Sequence, residues 1–535
     1  MTPDENSEPM TRSEIRSPTW KETVSWLALA TALMAFANGR HTIAVAAWLA
    51  PLFLLRFVRT QKPTRGLLIA WVVVTGVWAF QFRGMAPVPG VFYFVLAAVF
   101  GLLGVLPFVL DRVTAPRVGG FAATFILPSA WVVTEYLVAT FTPYGSWGSA
   151  GYSQHENLAL LQIVSVTGLY GVSFLIAWFA SVSNWAWEQG FRWPEIRVGV
   201  LSFLAIGLAT LFLGGARLSL LAPDESTVRI ASLTRPDIDL LPTPEVARAA
   251  RTGTATEDQL DVIRHQASLI NDDLLQRTDR EALAGAKIVF WGETNGFAFK
   301  EDEPALIRRA AELARTQKIY LGMAVGTWNT GRAKPLENKL LLLDPVGNVV
   351  WENWKAIPVP GGEAAISALD DGRIKSAETP YGRLGAVICF DMDFPGLLRQ
   401  AGQANTDIML VPSNDWKEID PWHSHMARIR AIEQGFNLVR HASNGLSVAA
   451  DYQGRVLNSM DHYTAASDRV LVSQVPIKGR TTLYSRIGDA FAWLCLTGLL
   501  VLSVAAWNKP RLVVQRNARR GNLPTLTVDP PARRR

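Results

Sequence analysis

The sequence predicts a bundle of membrane-spanning helices joined to an α/β domain. Of the 535 residues, 49% are hydrophobic and only 18% are charged, whereas soluble domains usually contain about 25% charged residues. The long apolar runs lie in the first 216 residues and near the end of the chain, with a polar interval between them. This composition disfavours a disordered chain, a coiled coil and a purely cytosolic enzyme.

Eight apolar segments are predicted to cross a hydrocarbon layer, which is about 30 Å thick. The second segment is short and contains Pro51, which makes it the least regular of the eight. The predicted spans cover residues 23–39, 42–55, 66–82, 90–110, 121–141, 158–185, 198–215 and 490–507.

The basic residues of the loops predict the orientation, because Lys and Arg stay on the cytoplasmic side of a membrane. With the N-terminus inside, the inside loops hold eight basic residues and the outside loops hold two. Seven crossings then place the polar interval outside the cytoplasm. The predicted organisation is a cytoplasmic leader (1–22), a membrane domain of seven spans (23–216), an α/β domain (217–487), an eighth span (488–507) and a basic cytoplasmic tail (508–535).

The net charge of +6 is local rather than general. From Asn508 onward the chain carries eight basic residues and one acid, a net charge of +7, which leaves −1 for the rest. A basic stretch directly after an apolar span is typical of a cytoplasmic membrane flank. The sequence therefore predicts contact with a membrane and no nucleic-acid partner.

The polar interval alternates strand-like and helix-like runs, which favours sheets covered by outer helices. In the helical run 303–317, Leu306, Ala310, Leu313 and Ala314 fall on one face. A second helix is predicted over residues 423–440. Strands are predicted within 286–293, 318–326, 338–344, 382–390, 407–413 and 468–475, and turns at 344–348 and 451–455.

Three reactive side chains follow apolar strands in this interval: Glu293, Lys355 and Cys389. A thiol is nucleophilic as thiolate, and a nearby ammonium favours that form. A carboxylate beside the thiol can take its proton and later return it to a leaving group. The three residues would therefore form an acyl-transfer site. On residue types alone, the alternative is a buried filler thiol, an acid at a helix start and a solvated lysine.

The segments around these residues favour the first interpretation. FWGETNGF, WENWKAIPVPGGE and AVICFDMDFP resemble the carbon–nitrogen hydrolase (nitrilase) superfamily, whose members use a Glu-Lys-Cys triad. The membrane frame, with the segments 141–154, 413–456 and 481–489, is similar to the apolipoprotein N-acyltransferase family. This second resemblance extends from the first predicted span to the eighth.

The resemblance implies a nitrilase-like αββα sandwich and assigns roles within it. Glu293 would be the general base and acid, Lys355 would stabilise the thiolate and the oxyanion, and Cys389 would be the acylated nucleophile. Glu363 matches a further functional Glu and would support Lys355 by a charge-assisted hydrogen bond. The alternative for Glu363 is a solvated loop acid.

The resemblance also implies an activity and a location. The enzyme would transfer an acyl chain from a membrane phospholipid, through a cysteine thioester, to the N-terminal amine of a diacylglyceryl-cysteine apolipoprotein. It would need no cofactor, and it would lie in the inner membrane with the catalytic domain on the periplasmic side. A membrane-tethered amidase and a catalytically inactive scaffold remain the alternatives.

Three positions depart from the family pattern. The loop at 358–363 lacks the usual Phe, Asp391 stands where a Glu is common, and Gly292 replaces a frequent Pro. In addition, the Asp-Phe-Pro at 393–395 is typical of soluble nitrilase relatives. These departures leave lipid and acceptor specificity open, and they keep amidase chemistry as an alternative.

Several further residues are candidates with two interpretations. Phe390 and Trp416 would line an acyl or headgroup pocket, or belong to the core. Tyr152 lies in an aromatic and glycine-rich outside loop that would shape a lipid entrance. Glu135, an acid inside the fifth span, would have a functional role or a packing partner. The sequence predicts structural roles for Arg428, Arg430 and Glu433. It predicts no metal site at His423 and His425.

Overall fold

The computed structural model describes residues 18–223, 226–241, 243–464 and 468–508. Residues 1–17 of the predicted leader and 509–535 of the predicted tail lie outside the described residues. The described chain forms an N-terminal helical domain, an α/β domain and a last apolar helix, as the sequence predicts.

The N-terminal domain is helical, and prolines stand in the first turns of two of its helices, where a missing N–H costs nothing. Two short 3₁₀ helices, Phe121–Phe125 and Ala150–Gln154, interrupt the series. The α-helices are α1 (Trp20–Ala35), α2 (Ala44–Thr60), α3 (Pro63–Gln81), α4 (Val91–Val118), α5 (Ile126–Phe141), α6 (Leu158–Leu161), α7 (Val164–Thr167), α8 (Tyr170–Glu188) and α9 (Trp193–Leu220).

Five helical segments in the described residues are long and apolar enough to cross a membrane. They are Pro63–Gln81, Val91–Val118, Phe121–Phe141, Trp193–Leu220 and Ala490–Asn508, and a bent pair would make a sixth. Helices α1 and α2, with 16 and 17 residues, coincide with predicted spans. At about 1.5 Å per residue they fall short of a 30 Å layer. The count of eight spans is therefore not confirmed and stays a prediction.

The predicted span over 158–185 is not one continuous helix, and its status as a span stays a prediction. The segment Leu158–Thr167 and the helix Tyr170–Glu188 meet at 114°. Gly168 lies at this bend with φ +65°, a backbone conformation that favours glycine. A Cβ atom there would stand 2.6 Å from the Tyr484 ring, so close packing also requires the glycine. The bend places α6 and α7 against the α/β domain.

A buried ionic group joins three helices of the N-terminal domain. Arg59 of α2 pairs with Asp111 of α4 at 2.7 Å and with Glu188 of α8 at 2.9 Å. Asp111 is fully buried, and a buried carboxylate requires such a partner. Arg59 and Asp111 lie outside the predicted spans 42–55 and 90–110, but they belong to α2 and α4 because both helices continue beyond those limits.

The α/β domain contains two sheets that pack face to face. The strands are β1 (Thr227–Leu233), β2 (Ile288–Trp291), β3 (Gly296–Phe299), β4 (Tyr320–Trp328), β5 (Leu336–Leu343), β6 (Val349–Trp354), β7 (Ser376–Thr379), β8 (Gly382–Ala386), β9 (Ile408–Asn414), β10 (Asn437–Ser443), β11 (Leu446–Ala450), β12 (Val456–Asp461) and β13 (Val470–Pro476). The first sheet has the strand order β13-β1-β2-β4-β5-β6 with β3 paired to β4, and the second has the order β12-β11-β10-β9-β8-β7.

The side chains of β9 show why a layer of helices covers each sheet. Successive residues of a strand point to opposite faces. Ile408 and Leu410 belong to the core between the sheets, whereas Met409 and Val411 pack with residues of the covering helices. The helices of this part are α10 (Pro244–Thr252), α11 (Glu257–Leu283), α12 (Glu303–Gln317), α13 (Gly362–Ile366), α14 (Pro395–Gln403), α15 (Trp422–Gln434) and α16 (Leu483–Ile487), followed by α17 (Ala490–Asn508).

Helix α12 agrees with the predicted run 303–317, and Leu306, Ala310 and Ala314 are buried. The predicted helix over 423–440 is wrong in its last third, residues 435–440. Helix α15 ends at Gln434, and residues from Asn437 pair in parallel with β9. The apolar residues of this last part therefore belong to a central strand and not to the face of a helix.

The two domains share a tightly packed junction. The face of α15 that carries Trp422, Met426 and Ile429 packs against residues of the membrane domain, including Tyr152 and Leu169. This contact brings the ends of several strands of the α/β domain next to the loops of the helical domain.

Candidate active site

Glu293 follows β2 and is held by three donors. Its Oε1 accepts hydrogen bonds from Asn338 Nδ2 at 2.7 Å and from Lys355 Nζ at 2.8 Å. Its Oε2 accepts from the backbone N–H of Asn414 at 2.8 Å. The residue is 4% exposed. Because Asn414 ends β9 of the second sheet, Glu293 lies where the ends of the two sheets meet.

Lys355 follows β6, and its backbone N–H donates to the Asn338 carbonyl at 2.9 Å. Its Nζ lies 2.8 Å from the carboxylates of both Glu293 and Glu363. Burial by itself would lower the pKa of Lys355, but the nearby Glu293, Cys389 and Glu363 raise it well above its ordinary value. Lys355 is therefore a buried ammonium held between two carboxylates.

Glu363 lies in the first turn of α13 and is partly exposed. It accepts a hydrogen bond from the Val359 N–H at 2.9 Å, which closes the loop after Lys355. The amide of Asn338 also reaches Glu363 at 3.2 Å. The structure thus brings Glu363 to Lys355, and Asn338, which the sequence analysis missed, connects the two carboxylates.

Cys389 follows β8 and begins the 3₁₀ helix Cys389–Asp393. It has φ +49°, a strained conformation for a non-glycine residue, and such strain is common at functional sites. Burial and the Glu293 carboxylate raise the pKa of its thiol well above the ordinary value, while Lys355 lowers it. The resting side chain is therefore a thiol that needs a base beside it.

Asp391 fixes the Cys389 turn to the Lys355 loop. Its carboxylate accepts hydrogen bonds from the N–H groups of Ile388 at 3.0 Å, Ile357 at 2.9 Å and Ala356 at 3.3 Å. Burial raises its pKa to about 7, although these donors and Lys355 oppose the shift. The Asp that departs from the family pattern thus positions two of the three predicted catalytic residues.

A buried charged group of Arg440, Asp415 and His423 lies close to the Cys389 thiol. No local sequence pattern indicates it. Arg440 donates two hydrogen bonds to Asp415 at 3.0 and 2.7 Å. His423 Nδ1 lies 2.9 Å from Asp415, and its Nε2 lies 3.4 Å from the Asp393 carboxylate. Burial and Arg440 lower the pKa of His423, but Asp393 and Asp415 outweigh them and raise it to about 9.

Cys389, Asp415 and His423 each place one possible metal-ligand atom within 4.8 Å of the others. Sequence spacing could not indicate this cluster, since its members come from three separate segments. Asp415 is already engaged by the Arg440 guanidinium, and a metal ion would have to compete with that cation. The absence of a metal site stays a prediction.

The three candidate substrate-binding residues lie in different surroundings. Phe390 is buried, and its ring packs edge-on against Phe394 at 5.2 Å. Trp416 is partly buried and donates from Nε1 to the Gly84 carbonyl of the membrane domain at 2.8 Å. Tyr152 is buried at the junction, where its hydroxyl hydrogen-bonds Ser146 at 2.7 Å. Their role in substrate binding stays a prediction.

The loop of the membrane domain supports the Cys389 turn directly. The Asp393 carbonyl accepts hydrogen bonds from the N–H and the hydroxyl of Ser146, both at 2.8 Å. Gly145 has φ +57°, and a Cβ atom there would stand 2.5 Å from the same carbonyl. Only glycine allows this close approach.

Arg430 extends this support into the α/β domain. It donates to Ser146 at 2.8 Å and also contacts Tyr152 and Glu433. Arg430 and Glu433, both predicted to be structural, form an ion pair that is buried in the junction.

Glu135 has partners that secure α5 to the same loop. Its Oε1 accepts hydrogen bonds from the Ala150 N–H at 2.8 Å and from Trp131 Nε1 at 3.0 Å. These bonds supply the packing partner that the sequence analysis left open beside a functional role.

Comparison with known proteins agrees with this architecture. Residues 30–182 match the family model "Apolipoprotein N-acyltransferase N-terminal domain", and residues 262–480 match "Carbon-nitrogen hydrolase". An apolipoprotein N-acyltransferase of Geobacter metallireducens is 28% identical over 73% of this chain and 75% of its own. One from Sinorhizobium fredii is 25% identical over 79% of this chain and 80% of its own.

Among solved structures, an amidase from Nesterenkonia sp. is 18% identical, covers 50% of this chain and 96% of its own, and has a TM-score of 0.38. The two family models together cover both domains, and the curated relatives span both as well. Residues 30–182 therefore match the N-terminal domain of apolipoprotein N-acyltransferases, and residues 262–480 match the carbon–nitrogen hydrolase family.

Proposed function

We propose that the protein transfers an acyl chain from a membrane phospholipid, through a thioester on Cys389, to the N-terminal amine of a diacylglyceryl-cysteine apolipoprotein. The observation that carries the proposal is the position of Lys355 Nζ, 2.8 Å from both Glu293 and Glu363. The buried Cys389 thiol is coupled electrostatically to Glu293 and Lys355. The names of the relatives support the same activity.

In the first step, Glu293 takes the proton of the Cys389 thiol, and the thiolate attacks the ester carbonyl carbon of the phospholipid. Lys355 stabilises the negative charge that moves from sulfur to the carbonyl oxygen. The ester C–O bond then breaks, and Glu293 gives its proton to the departing lysophospholipid oxygen. The acyl chain remains on the sulfur as a thioester.

In the second step, the α-amine of the apolipoprotein attacks the thioester carbonyl. A C–N bond forms and the C–S bond breaks, while Glu293 accepts a proton from the amine. The sulfur leaves as a thiolate and regains that proton from Glu293, so the site returns to its starting state. In each step the carboxylate of Glu293 accepts one proton and gives it back, and no cofactor takes part.

The remaining machinery positions the reacting groups. Glu363 and Asn338 keep the ammonium of Lys355 and the carboxylate of Glu293 in contact. Asp391 keeps the Lys355 loop against the Cys389 turn. Because the geometry is fixed before substrate arrives, little reorganisation is needed during the reaction.

The proposed location is the inner membrane, with residues 217–487 as the catalytic domain on the periplasmic side. The apolar helices and the contact of the Cys389 turn with the membrane-domain loop support a site beside a bilayer. The basic residues of the loops support the orientation. Both substrates are lipid-anchored, and confinement in one bilayer raises their concentration near the thiol.

The test uses purified protein in vesicles with a phospholipid that carries a labelled acyl chain. We expect label on Cys389 that moves to a diacylated peptide when the peptide is added. Release of the label as free fatty acid, with no transfer, would indicate hydrolysis and reject the proposal. Absence of any labelled cysteine would indicate an inactive scaffold and reject it as well.

A further inference from the structure

A cavity of about 950 Å³ adjoins the site on the side of Glu293. This volume is near the upper end of the range for small-molecule sites, about 300–1,000 Å³. Its outer walls come from residues 234–241, 250–263 and 326–336. The mechanism described above does not use these segments.

The inner end of the cavity is formed by groups bonded to Glu293. Asn414, whose N–H donates to Glu293 Oε2, lines the cavity. Asn295 lines it too, and its amide donates to the Glu293 carbonyl at 3.0 Å. Glu293, Lys355 and Cys389 are themselves not among the residues that line it. The cavity therefore ends at two hydrogen-bond partners of Glu293.

The segment that follows Cys389 contacts the membrane domain. The turn that begins at Cys389 is held by Ser146 and Gly145 of a membrane-domain loop. Trp416 contacts the next loop at Gly84. Among the described residues, the hydrogen bonds that join the two domains come from residues outside the cavity walls. An acyl chain from the bilayer would reach Cys389 from this side.

The walls of the cavity combine apolar and hydrogen-bonding surface. Phe297, Trp328 and Leu241 are partly exposed along one side. At the inner end, Asn414 and Asn444 are exposed and hydrogen-bond each other at 2.9 Å. An acyl chain would leave the Asn414 Nδ2 and the Asn444 Oδ1, which take no part in that bond, facing apolar surface, which is unfavourable. A polypeptide offers backbone N–H and C=O groups to them and side chains to the apolar wall.

We infer that this cavity binds the first residues of the acceptor polypeptide that follow its acylated N-terminal cysteine. The inference rests on the proposed function and names the peptide part of the acceptor as the ligand. The α-amine would then lie beside Glu293, between the thioester and the peptide. The acyl donor and the acceptor peptide thus reach the site from different sides.

The test compares two half-reactions and two acceptors. Thioester formation on Cys389 is followed with labelled phospholipid, and transfer is followed with a diacylglyceryl-cysteine peptide and with diacylglyceryl-cysteine amide that lacks further residues. Trp328→Ala removes an apolar wall, and Ala333→Trp fills the cavity from an exposed position. Ala305→Trp, on the exposed face of α12 and outside the cavity, is the matched control.

We expect both cavity variants to raise the KM for the peptide acceptor about tenfold, because Trp328→Ala removes an aromatic anchor and Ala333→Trp occupies the space of the peptide. Thioester formation and transfer to the amide should stay within about twofold of the unchanged chain, a difference below 0.5 kcal/mol. The control should match the unchanged chain in all three measurements.

Two results would overturn the inference while leaving the proposed function intact. One is an unchanged KM for the peptide acceptor in both cavity variants. The other is a loss of thioester formation equal to the loss of transfer, which would assign the cavity to the acyl donor. A failure of the unchanged chain to form the thioester would instead reject the proposed function itself.

Discussion

The membrane domain and the α/β domain place their apolar side chains in different surroundings. In the catalytic domain, strands such as β9 place alternate residues in two dry cores, and side chains such as Ile408 and Met409 are fully buried. In α9, only 11% of the most apolar 18-residue stretch is buried within the protein, and Phe212 is 75% exposed. Exposed apolar surface of this extent is typical of a lipid-facing helix. The catalytic domain is stabilised by its own core, whereas the membrane helices require a bilayer.

The largest difference between the two domains should appear in their cysteines. Cys389 is the proposed nucleophile of the α/β domain, and Cys495 packs in α17 against α5 and α8. Cys389→Ala should lower transferase activity by at least about 10³-fold, as loss of a nucleophile does, with normal membrane insertion. Cys495→Ser should retain activity within about twofold, because it is remote from the reacting groups.

Thioester labelling and membrane fractionation of both variants provide the measurement. Undiminished labelling of Cys389→Ala would remove this cysteine from the mechanism. A strong loss of activity in Cys495→Ser would show that the contrast between the two domains is misassigned.

The junction between the domains should be the next most sensitive region. Arg430→Met leaves Glu433 buried without its cation and removes the donor to Ser146. Breaking a buried ion pair from one side costs about 3–5 kcal/mol. We expect a fall in the thermal unfolding midpoint of roughly 10 °C, measured in detergent micelles.

The double variant Arg430→Met/Glu433→Gln is the control for this effect. It removes the unpaired charge but keeps an acceptor for the Leu169 N–H, which Glu433 binds at 2.9 Å. We expect it to recover part of the lost midpoint. A midpoint for Arg430→Met equal to that of the unchanged chain would show that the junction contributes little to stability.

A smaller, pH-dependent change in stability is expected from His423 of the α/β domain. The pKa of His423 is raised to about 9 by Asp393 and Asp415, despite burial and Arg440. Because the folded-state pKa lies above the unfolded value of about 6.5, the stabilisation is present below pH 6.5 and is lost as the pH rises to 9.

Thermal unfolding at pH 6.5 and pH 9 measures this difference. The unchanged chain should lose about 3 kcal/mol more than His423→Gln between the two values. Equal losses in the two proteins would mean that the pKa of His423 in the folded state is not raised above its unfolded value.

The sequence predicted the elements that obey local rules. The amphipathic helix at 303–317 is confirmed, and Glu293, Lys355 and Cys389 lie directly after strands or within three residues of a strand end. These positions follow from periodicity and from apolar runs. Glu363 was implied only by the family resemblance; the structure places it beside Lys355, and the roles of all four residues stay predictions. The proximity of Lys355 to Glu293 could be inferred only from the family resemblance, since 62 positions separate them.

The missed residues depend on contacts between distant segments. Asn338 reaches Glu293 across 45 positions, and Arg440 reaches Asp415 across 25. Each is an ordinary polar residue in an apolar strand, and no local pattern distinguishes it from a structural one. The bend at Gly168 was missed for a similar reason, because the apolar run continues through it and only the packing of Tyr484 explains the break.

The two hydrogen bonds from Ser146 to the Asp393 carbonyl have a practical consequence. Part of the scaffold that shapes the nucleophile's turn is contributed by a different domain, so a truncated soluble fragment would lack it. Such a fragment would also present Trp422, Met426 and Ile429 of α15 to water and would be prone to self-association. Biochemistry on this enzyme therefore calls for the intact polypeptide in a lipid or detergent environment.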